Sequence, residues 1–234
     1  RSDPDLDVYD ARNGFREPPE PSSYGSAFVE RVREAQRERV RRLDDRARSL
    51  LAEHARAVAD SEEEGFSRRP FSERQEALRR RAYEPVLVVH RTMANPAFVD
   101  ATLDRDPGEA AREYGSLLSD RPDLMNLSAT GFARTCTPRA WLSTWSALSS
   151  KADLVENVAR IEAPTLVVHA ARDREVYFGR DVLPVVEASA AKDRRLVRVE
   201  GARHYFEPDF GRAETPDVDR LMDVLVPWMQ ERFA

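Results

Sequence analysis

Cysteine is nearly missing from this chain of 234 residues. Cys136 stands alone, so no disulfide can form within the sequence and nothing favours an oxidising compartment. We therefore expect a cytoplasmic protein. A lone cysteine can be a nucleophile, but packing in the interior is its commoner role, and packing is the role we favour for Cys136.

Long apolar runs are missing too. No stretch approaches the ~20 apolar residues that a membrane-spanning helix needs, and no segment resembles a signal peptide. Hydrophobic residues make up 41% of the chain and charged residues 34%, a balance typical of a soluble globular protein with a sizeable core. The net charge is −5, and the basic residues are dispersed over several helical faces. We therefore expect neither nucleic acid nor a membrane as a partner.

A long helix is predicted in the N-terminal part. Apolar residues recur every three or four positions from Phe28 to Val58, and no proline interrupts residues 24–59. This pattern predicts one helix of about 55 Å. Two interpretations stay open: a lid or cap helix with one stripe on a core, which we favour, and a coiled coil that forms a homodimer. His54 lies on the apolar stripe, where a packed histidine is the expected role.

A β-hairpin is predicted after this helical region. Residues 83–91 (YEPVLVVHR) have the pattern of a buried strand, and residues 98–103 (FVDATL) that of its antiparallel neighbour, with residues 95–96 in the turn. His90 and Arg91 leave the first strand together. Arg91 is therefore a candidate pocket residue, although an ordinary position at a strand end is the favoured interpretation.

Two tryptophans lie on another predicted helix, residues 137–150 (TPRAWLSTWSALSS). Thr137 and Pro138 form an N-cap followed by proline at the first helical position. Trp141 and Trp145 then lie four residues apart on one face. A core role is commoner for such a pair, but in a cap domain a core role and a substrate-pocket role can coincide, so both residues are pocket candidates.

The C-terminal third has a different pattern. Residues 165–170 (TLVVHA) form a near-continuous apolar run, of the kind that is buried on both faces of a parallel sheet. An amphipathic segment at 182–191, a strand at 195–200 and a helix at 216–233 follow. The order strand, helix, strand, helix predicts an α/β layer. We place a domain boundary between residues 160 and 161.

Two side chains follow the two predicted parallel strands. Asp173 comes just after the first strand, in HAARDREVYF, and His204 just after the second, in GARHYF. Chemistry in parallel α/β sheets collects at the carboxyl ends of the strands. Asp173 could therefore orient the His204 ring and stabilise its charged form while the other ring nitrogen acts as a general base. A helix-capping Asp173 and an ordinary loop histidine are the competing interpretation.

The segments IEAPTLVVHAARD (161–173) and EGARHYF (200–206) together resemble the end of an α/β-hydrolase, a resemblance that covers about one third of the chain. In that family the acid follows a strand introduced by proline, and the catalytic histidine follows the last strand in a Gly-x-x-His loop. The resemblance implies that Asp173 is the acid and His204 the base. It also implies an incomplete α/β-hydrolase fold, with residues 1–160 as a large, mostly helical cap carrying the hairpin and residues 161–234 as the C-terminal part of the core.

The nucleophile that the family requires is missing. The family carries its serine in a G-x-S-x-G turn, and the sequence contains no such motif. Ser26 and Ser116 each follow a glycine but lack the second one, and Ser128 has no glycine two residues to either side. No His-Gly-Gly segment offers an oxyanion hole, and no room is left before the cap for the opening strands of the sheet.

Three interpretations follow. We favour a chain that lacks its N-terminal half, because it begins Arg-Ser-Asp-Pro without Met and a sheet of so few strands leaves an open edge. Its partners are then an N-terminal core fragment and a small-molecule substrate: an ester, a thioester or another activated carbonyl compound. The alternatives are a non-catalytic α/β-hydrolase-like binding protein and an interaction protein built on the long helix. No cofactor is implied, and no metal, since the four histidines form no ligand-spaced cluster.

Overall fold

We describe the protein from a computed structural model, which covers residues 3–90, 92–100, 102–103, 114–127, 134–209, 212–214 and 216–233. Its helices are α1 (Ser26–Glu62), α2 (Phe71–Ala82), α3 (Pro122–Met125), α4 (Pro138–Ala140), α5 (Leu154–Val158), α6 (Leu183–Ala188) and α7 (Asp217–Phe233). Its strands are β1 (Leu87–Val88), β2 (Thr135–Cys136), β3 (Thr165–Ala170) and β4 (Arg194–Val199). Among these residues, none of the helices combines the length and the apolar character needed to cross a membrane.

The chain forms two compact units that interleave along the sequence. The first consists of Arg1–Val29, Met93–Asn126 and Asp153–Ala234, and the second of Glu30–Thr92 and Leu127–Ala152. Segments that the sequence places in the cap thus cluster with the C-terminal third, because side chains far apart in the chain bond there. One such bond joins Arg174 Nη1 to Asp120 Oδ1 at 2.5 Å. The assignment of residues 1–160 to a hydrolase cap and 161–234 to its core stays a prediction.

A parallel pair of strands organises the first unit. β3 pairs with β4 in a register that runs from Thr165 opposite Arg194 to Ala170 opposite Val199. α6 lies in the connection between them, and α7 follows β4 and contacts it. The prediction of an α/β layer in the C-terminal third is confirmed at this level. The described residues add no third strand to this sheet.

The two strands differ in composition. β3 is apolar throughout except for Thr165 and His169, whereas β4 carries arginine at positions 194, 195 and 198. The carboxyl ends form a small core of Ala170, Val199 and Ala202, against which Val168 and Phe206 pack. β3 therefore has the sequence of an interior strand and β4 that of an edge strand.

The apolar stripe of α1 provides the core of the second unit. Ala47 is fully buried with Leu87, Val89 and Trp141. Val40, Leu43, Leu50, Cys136 and Leu142 pack around them. Along α1, which the structure describes in full, no large hydrophobic side chain is exposed. Residues of the stripe therefore pack within the chain; the lid or cap role of the helix and the homodimer both stay predictions.

The predicted hairpin is wrong in its second strand. β1 does pair antiparallel, but with β2, placing Leu87 opposite Cys136. The described residues of this segment, 98–100 and 102–103, form no strand: Phe98 ends a 3₁₀ turn, and residues 99, 102 and 103 lie in turns. Asn95 Oδ1 accepts a hydrogen bond from the Ala97 amide at 3.0 Å and caps a short 3₁₀ turn at Pro96–Phe98. Beyond it, Asp100 Oδ1 accepts from the Thr102 amide at 3.0 Å, so that the local side chains bond the backbone that a strand would need.

The predicted helix at 137–150 begins where expected but stops early. Thr137 Oγ1 accepts from the Ala140 amide at 3.2 Å, which confirms the cap. A single π-helical turn, Trp141–Trp145, ends the helix. Ser146 Oγ explains the stop: it donates to Asp44 Oδ2 at 3.0 Å and accepts from the Ser149 amide at 3.0 Å. The chain therefore turns away at Ser146.

Candidate active site

The ends of β3 and β4 bring two loops side by side. The parallel pairing continues past the strands, because the Ala171 amide donates to the Val199 carbonyl at 3.1 Å and the Arg172 amide to the Ala202 carbonyl at 2.8 Å. Asp173 is the next residue on the first loop, and His204 follows two residues after Ala202 on the second. Backbone hydrogen bonds thus place both side chains at the carboxyl end of the same sheet.

Asp173 and His204 form a direct pair. His204 Nδ1 lies 2.7 Å from Asp173 Oδ2. The other carboxylate oxygen, Oδ1, accepts from the amides of Glu175 and Val176 at 2.8 and 3.0 Å. The Asp173 side chain is 6% exposed and that of His204 25%. The carboxylate is therefore buried and fixed by backbone donors, while part of the imidazole stays accessible.

This arrangement fixes the role of each ring nitrogen. A proton on Nδ1 is donated to the carboxylate, which leaves the Nε2 lone pair to accept a proton. Within the described part of the chain, no hydrogen-bond partner occupies Nε2. A histidine held this way can act as a general base.

The histidine loop depends on two unusual backbone conformations. Gly201 has φ +82°, a value that L side chains rarely adopt. Phe206 has φ +58° and packs against the core at the strand ends. The Phe206 amide donates to the Arg203 carbonyl at 2.9 Å. His204 therefore sits in a tight turn anchored on one side by the partly buried ring of Phe206.

Two arginines join the acid loop to the histidine loop through one carboxylate. Arg172 Nη1 lies 3.1 Å from Asp209 Oδ1, and Arg203 Nε lies 3.0 Å from the same oxygen. All three side chains are partly buried. This bridge holds the two loops together independently of the pair formed by Asp173 and His204.

A cavity of about 370 Å³ opens beside His204. One wall consists of residues 115–120, which we call the wall turn; of these, residues 116–120 line the cavity. The opposite side carries Arg172, Arg203 and Pro208. The volume lies at the small end of the range for ligand pockets, and the lining combines apolar side chains with fixed charges.

Arg174 carries charge in this wall as one half of an ion pair. Its Nη1 donates to Asp120 Oδ1 at 2.5 Å. The hydrogen bond from Arg174 lowers the pKa of the Asp120 carboxyl below its ordinary value. Both partners are therefore charged at neutral pH.

Two serines lie in the wall turn, and each hydroxyl is engaged locally. Ser116 is 1% exposed, and its Oγ accepts from the Leu118 amide at 3.2 Å. Ser119 Oγ accepts from the Arg121 amide at 2.9 Å. No hydrogen bond joins either hydroxyl to His204 in the described residues. Ser26 is the first residue of α1, and Ser128 lies outside the described residues.

The other predicted pocket residues belong to the second unit. Trp141 is 6% exposed and donates from Nε1 to Asp44 Oδ1 at 2.7 Å, which makes it part of that unit's core. Trp145 is 42% exposed. Arg91 lies outside the described residues. A substrate-pocket role for these three residues stays a prediction.

The remaining histidines are spread over the molecule. His54 Nε2 lies 3.0 Å from the Arg81 carbonyl, and His90 is exposed. His169 is buried in β3, with Nε2 3.3 Å from the Val176 carbonyl. Within the residues described, no group of three His, Cys, Asp or Glu side chains could hold a metal ion.

Sequence reasoning missed two features. The first is the wall turn, and only the glycine at 115 before two leucines hints at a turn there. The second is a groove of about 970 Å³ in the second unit, lined by residues of α1 and α2 with both acidic and basic side chains. Charged residues at helical spacing predict solvent-exposed faces, so the pattern gives no sign of a groove.

Comparison with models of protein families, with curated proteins and with solved structures finds no match for this chain.

Proposed function

We propose that this chain is the acid–base and cap part of an α/β-hydrolase that acts on an ester, a thioester or another activated carbonyl compound. One observation carries the proposal. Asp173 and His204 lie 2.7 Å apart at the carboxyl ends of adjacent parallel strands, with the acid buried and the base partly accessible. A buried carboxylate that holds one ring nitrogen while the other stays accessible is the arrangement that a histidine general base needs.

The order of elements supports the same assignment. A strand after a proline, a loop with the acid, a helix, a second strand and a Gly-x-x-His loop follow one another, and α7 closes the chain. Each element is individually common. Their order, together with the contact between the two side chains, is what the α/β-hydrolase family requires of its acid and base.

The chemistry follows from the roles of the two ring nitrogens. A serine hydroxyl attacks the substrate carbonyl while His204 Nε2 takes its proton. Asp173 holds the ring and stabilises the imidazolium that forms. His204 then donates the proton to the leaving group, and a water molecule, activated by the same nitrogen, hydrolyses the acyl-enzyme.

The serine is supplied, in this proposal, by a part of the protein outside the 234 residues. No G-x-S-x-G motif occurs in them. β3 supports the idea, because it has the composition of an interior strand and pairs, among the described residues, only with β4. A further strand on its other side would cover the apolar side chains that are only half-buried now.

One observation favours a second candidate function, the binding of a small molecule without catalysis. Among the described residues that line the cavity, the only hydroxyls are those of Ser116 and Ser119, and neither is hydrogen-bonded to His204. In that case Asp173 and His204 would bind a ligand without catalysing a reaction.

A serine-directed probe distinguishes the two functions. The native polypeptide is isolated with an antibody against this chain, its intact mass is measured, and it is treated with a fluorophosphonate. We expect a mass above that of 234 residues and a label on a serine outside them. His204→Ala, introduced in the native gene, should abolish labelling, and Glu162→Ala, at an exposed site, should leave it unchanged.

Two results would contradict the hydrolase. A native polypeptide that begins at Arg1 and takes no label leaves His204 without a serine and favours binding. A label on a serine within the 234 residues shows that the nucleophile has been assigned to the wrong segment.

A further inference from the structure

Two residues that follow Asp173 reach across to the wall turn. Glu175 Oε1 accepts a hydrogen bond from the Leu117 amide at 2.8 Å. Arg174 Nη1 donates to Asp120 Oδ1 at 2.5 Å and to the Ser116 carbonyl at 3.4 Å. The loop that carries the acid therefore holds the wall turn at three points, although the partners lie more than fifty residues apart in the chain.

The wall turn is itself a closed unit. The Ser116 amide donates to the Ser119 carbonyl at 2.9 Å, and the Ser119 amide to the Ser116 carbonyl at 3.4 Å. Gly115 has φ +111°, and a Cβ there would meet Arg174 Nη1 and the Ser119 carbonyl, each at 3.0 Å. Any larger residue would push the turn away from Arg174, so the close approach requires glycine.

Leu118 is the apolar side chain that the turn leaves exposed. It is 48% exposed, while Ser116 is 1% exposed. Leu117 and Leu118 line the same cavity as His204. Leu118 therefore combines exposure with a place in the lining of the His204 cavity, on a turn that three hydrogen bonds from the acid loop hold in position.

We infer that the wall turn is the substrate-facing wall of the His204 site. Arg174 and Glu175 act as positioning residues that couple the wall to the acid loop, and Leu118 contacts an apolar group of the substrate. This inference rests on the proposed function, which gives the His204 site a substrate. The cavity of about 370 Å³ selects a compact ester or thioester, in which the group next to the carbonyl is apolar and short.

The inference predicts that the wall turn limits access to His204. Diethyl pyrocarbonate carbethoxylates imidazole nitrogen. Because Nδ1 of His204 is engaged with Asp173, the rate of modification at His204 measures the accessibility of Nε2. The rate at His204 is measured by peptide mass spectrometry on the native polypeptide, isolated as for the serine-directed probe. The exposed His90, which lies in the other unit, serves as the internal reference.

Four substitutions test the wall. Glu175→Ala removes the acceptor of the Leu117 amide and should raise the rate at His204 about fivefold, the effect of losing one hydrogen bond. Glu175→Gln keeps an acceptor oxygen and should restore the wild-type rate. Leu118→Ala should raise the rate and Leu118→Trp should lower it, without any change to the acid loop. Glu162→Ala is the matched control.

Unchanged rates in both Glu175→Ala and the two Leu118 variants would overturn the inference, since the turn would then not cover His204. So would failure of Glu175→Gln to restore protection. Carbethoxylation needs no nucleophile, so the outcome is independent of fluorophosphonate labelling. Protection by the wall without labelling refutes the hydrolase alone, and labelling without protection refutes the wall alone.

Discussion

The indole Nε1 of Trp141 donates a hydrogen bond of 2.7 Å to the buried carboxylate of Asp44, ninety-seven residues earlier in the chain. The hydroxyls of Ser146 and Ser149 donate to the same carboxylate. Asp44 is 3% exposed and lies in the middle of α1. One acidic side chain thus fixes the π-helical turn and the residues after it to the long helix.

This network predicts a large effect of Asp44→Ala. Removing the carboxylate leaves two buried donors and one partly buried donor without their acceptor, and we expect the free energy of unfolding to fall by about 3 kcal/mol. Urea denaturation followed by circular dichroism measures it. Asp45→Ala is the control, because that side chain is 78% exposed and should cost no more than about 0.5 kcal/mol. Equal losses in the two variants would show that the Asp44 network contributes nothing specific.

Asp173→Asn should release the His204 ring. The Nδ1 proton that the carboxylate accepts in the wild-type chain should give a far-downfield proton resonance, and that resonance should vanish in the variant. We also expect a loss of about 1–2 kcal/mol in unfolding free energy, since a charged acceptor is removed from a buried position. Asp219→Asn, at an exposed position of α7, should change neither quantity. A resonance that survives Asp173→Asn would place the His204 proton elsewhere.

Gly201→Ala should destabilise the histidine loop. The residue has φ +82°, and the nearest atom to an added Cβ is Arg220 Nη1 at 3.7 Å, so the cost is conformational rather than steric. We expect a loss of about 1–2 kcal/mol, the cost of the left-handed conformation for a residue with a Cβ. Gly25→Ala is the control, because nothing lies within 4 Å of its added Cβ. Thermal or urea unfolding of both variants measures the loss. An unchanged free energy of unfolding in Gly201→Ala would contradict a strained conformation at this position.

The ion pair of Asp120 with Arg174 should make the stability of the fold fall at acid pH. The hydrogen bond from Arg174 lowers the pKa of this carboxyl in the folded state, so the unfolded state binds the proton more tightly. The pair therefore stabilises the fold above the ordinary pKa of aspartate, and its contribution is lost as the pH falls through the lowered value.

A carbon-detected NMR titration of the Asp120 carboxyl tests this directly. In Arg174→Gln the pKa of Asp120 should rise to its ordinary value, and the difference in stability between wild type and variant should shrink as the pH falls. An unchanged Asp120 titration in the variant would show that Arg174 is not the cause of the shift.

Local patterns in the sequence predict the C-terminal layer well. The apolar run at 165–170 coincides with β3, and the strand predicted at 195–200 differs from β4 by one residue at each end. Backbone preference and the burial of neighbouring side chains determine such elements, and both can be read within a few residues. The same holds for the Thr137 cap and for most of α1.

Pairings between distant segments could not be predicted. Several stretches of this sequence have the composition of a short strand, and the pattern alone does not say that Leu87 pairs with Cys136 rather than with a residue of 98–103. The hydrogen bond between Glu175 and the Leu117 amide could not be predicted either, because the sequence around each residue gives no sign that the two are partners. Periodicity reports which face of an element is apolar, not which segment covers it.

The sequence by itself determined that Asp173 and His204 each follow a strand, since strand ends and loop lengths are local properties. Tertiary structure alone decided that the two side chains meet at 2.7 Å, that Asp44 fixes Trp141, and that the wall turn closes one side of the cavity. Each of these contacts joins residues whose separation in the chain gives no constraint on their distance, so only the packing of the folded units brings them together.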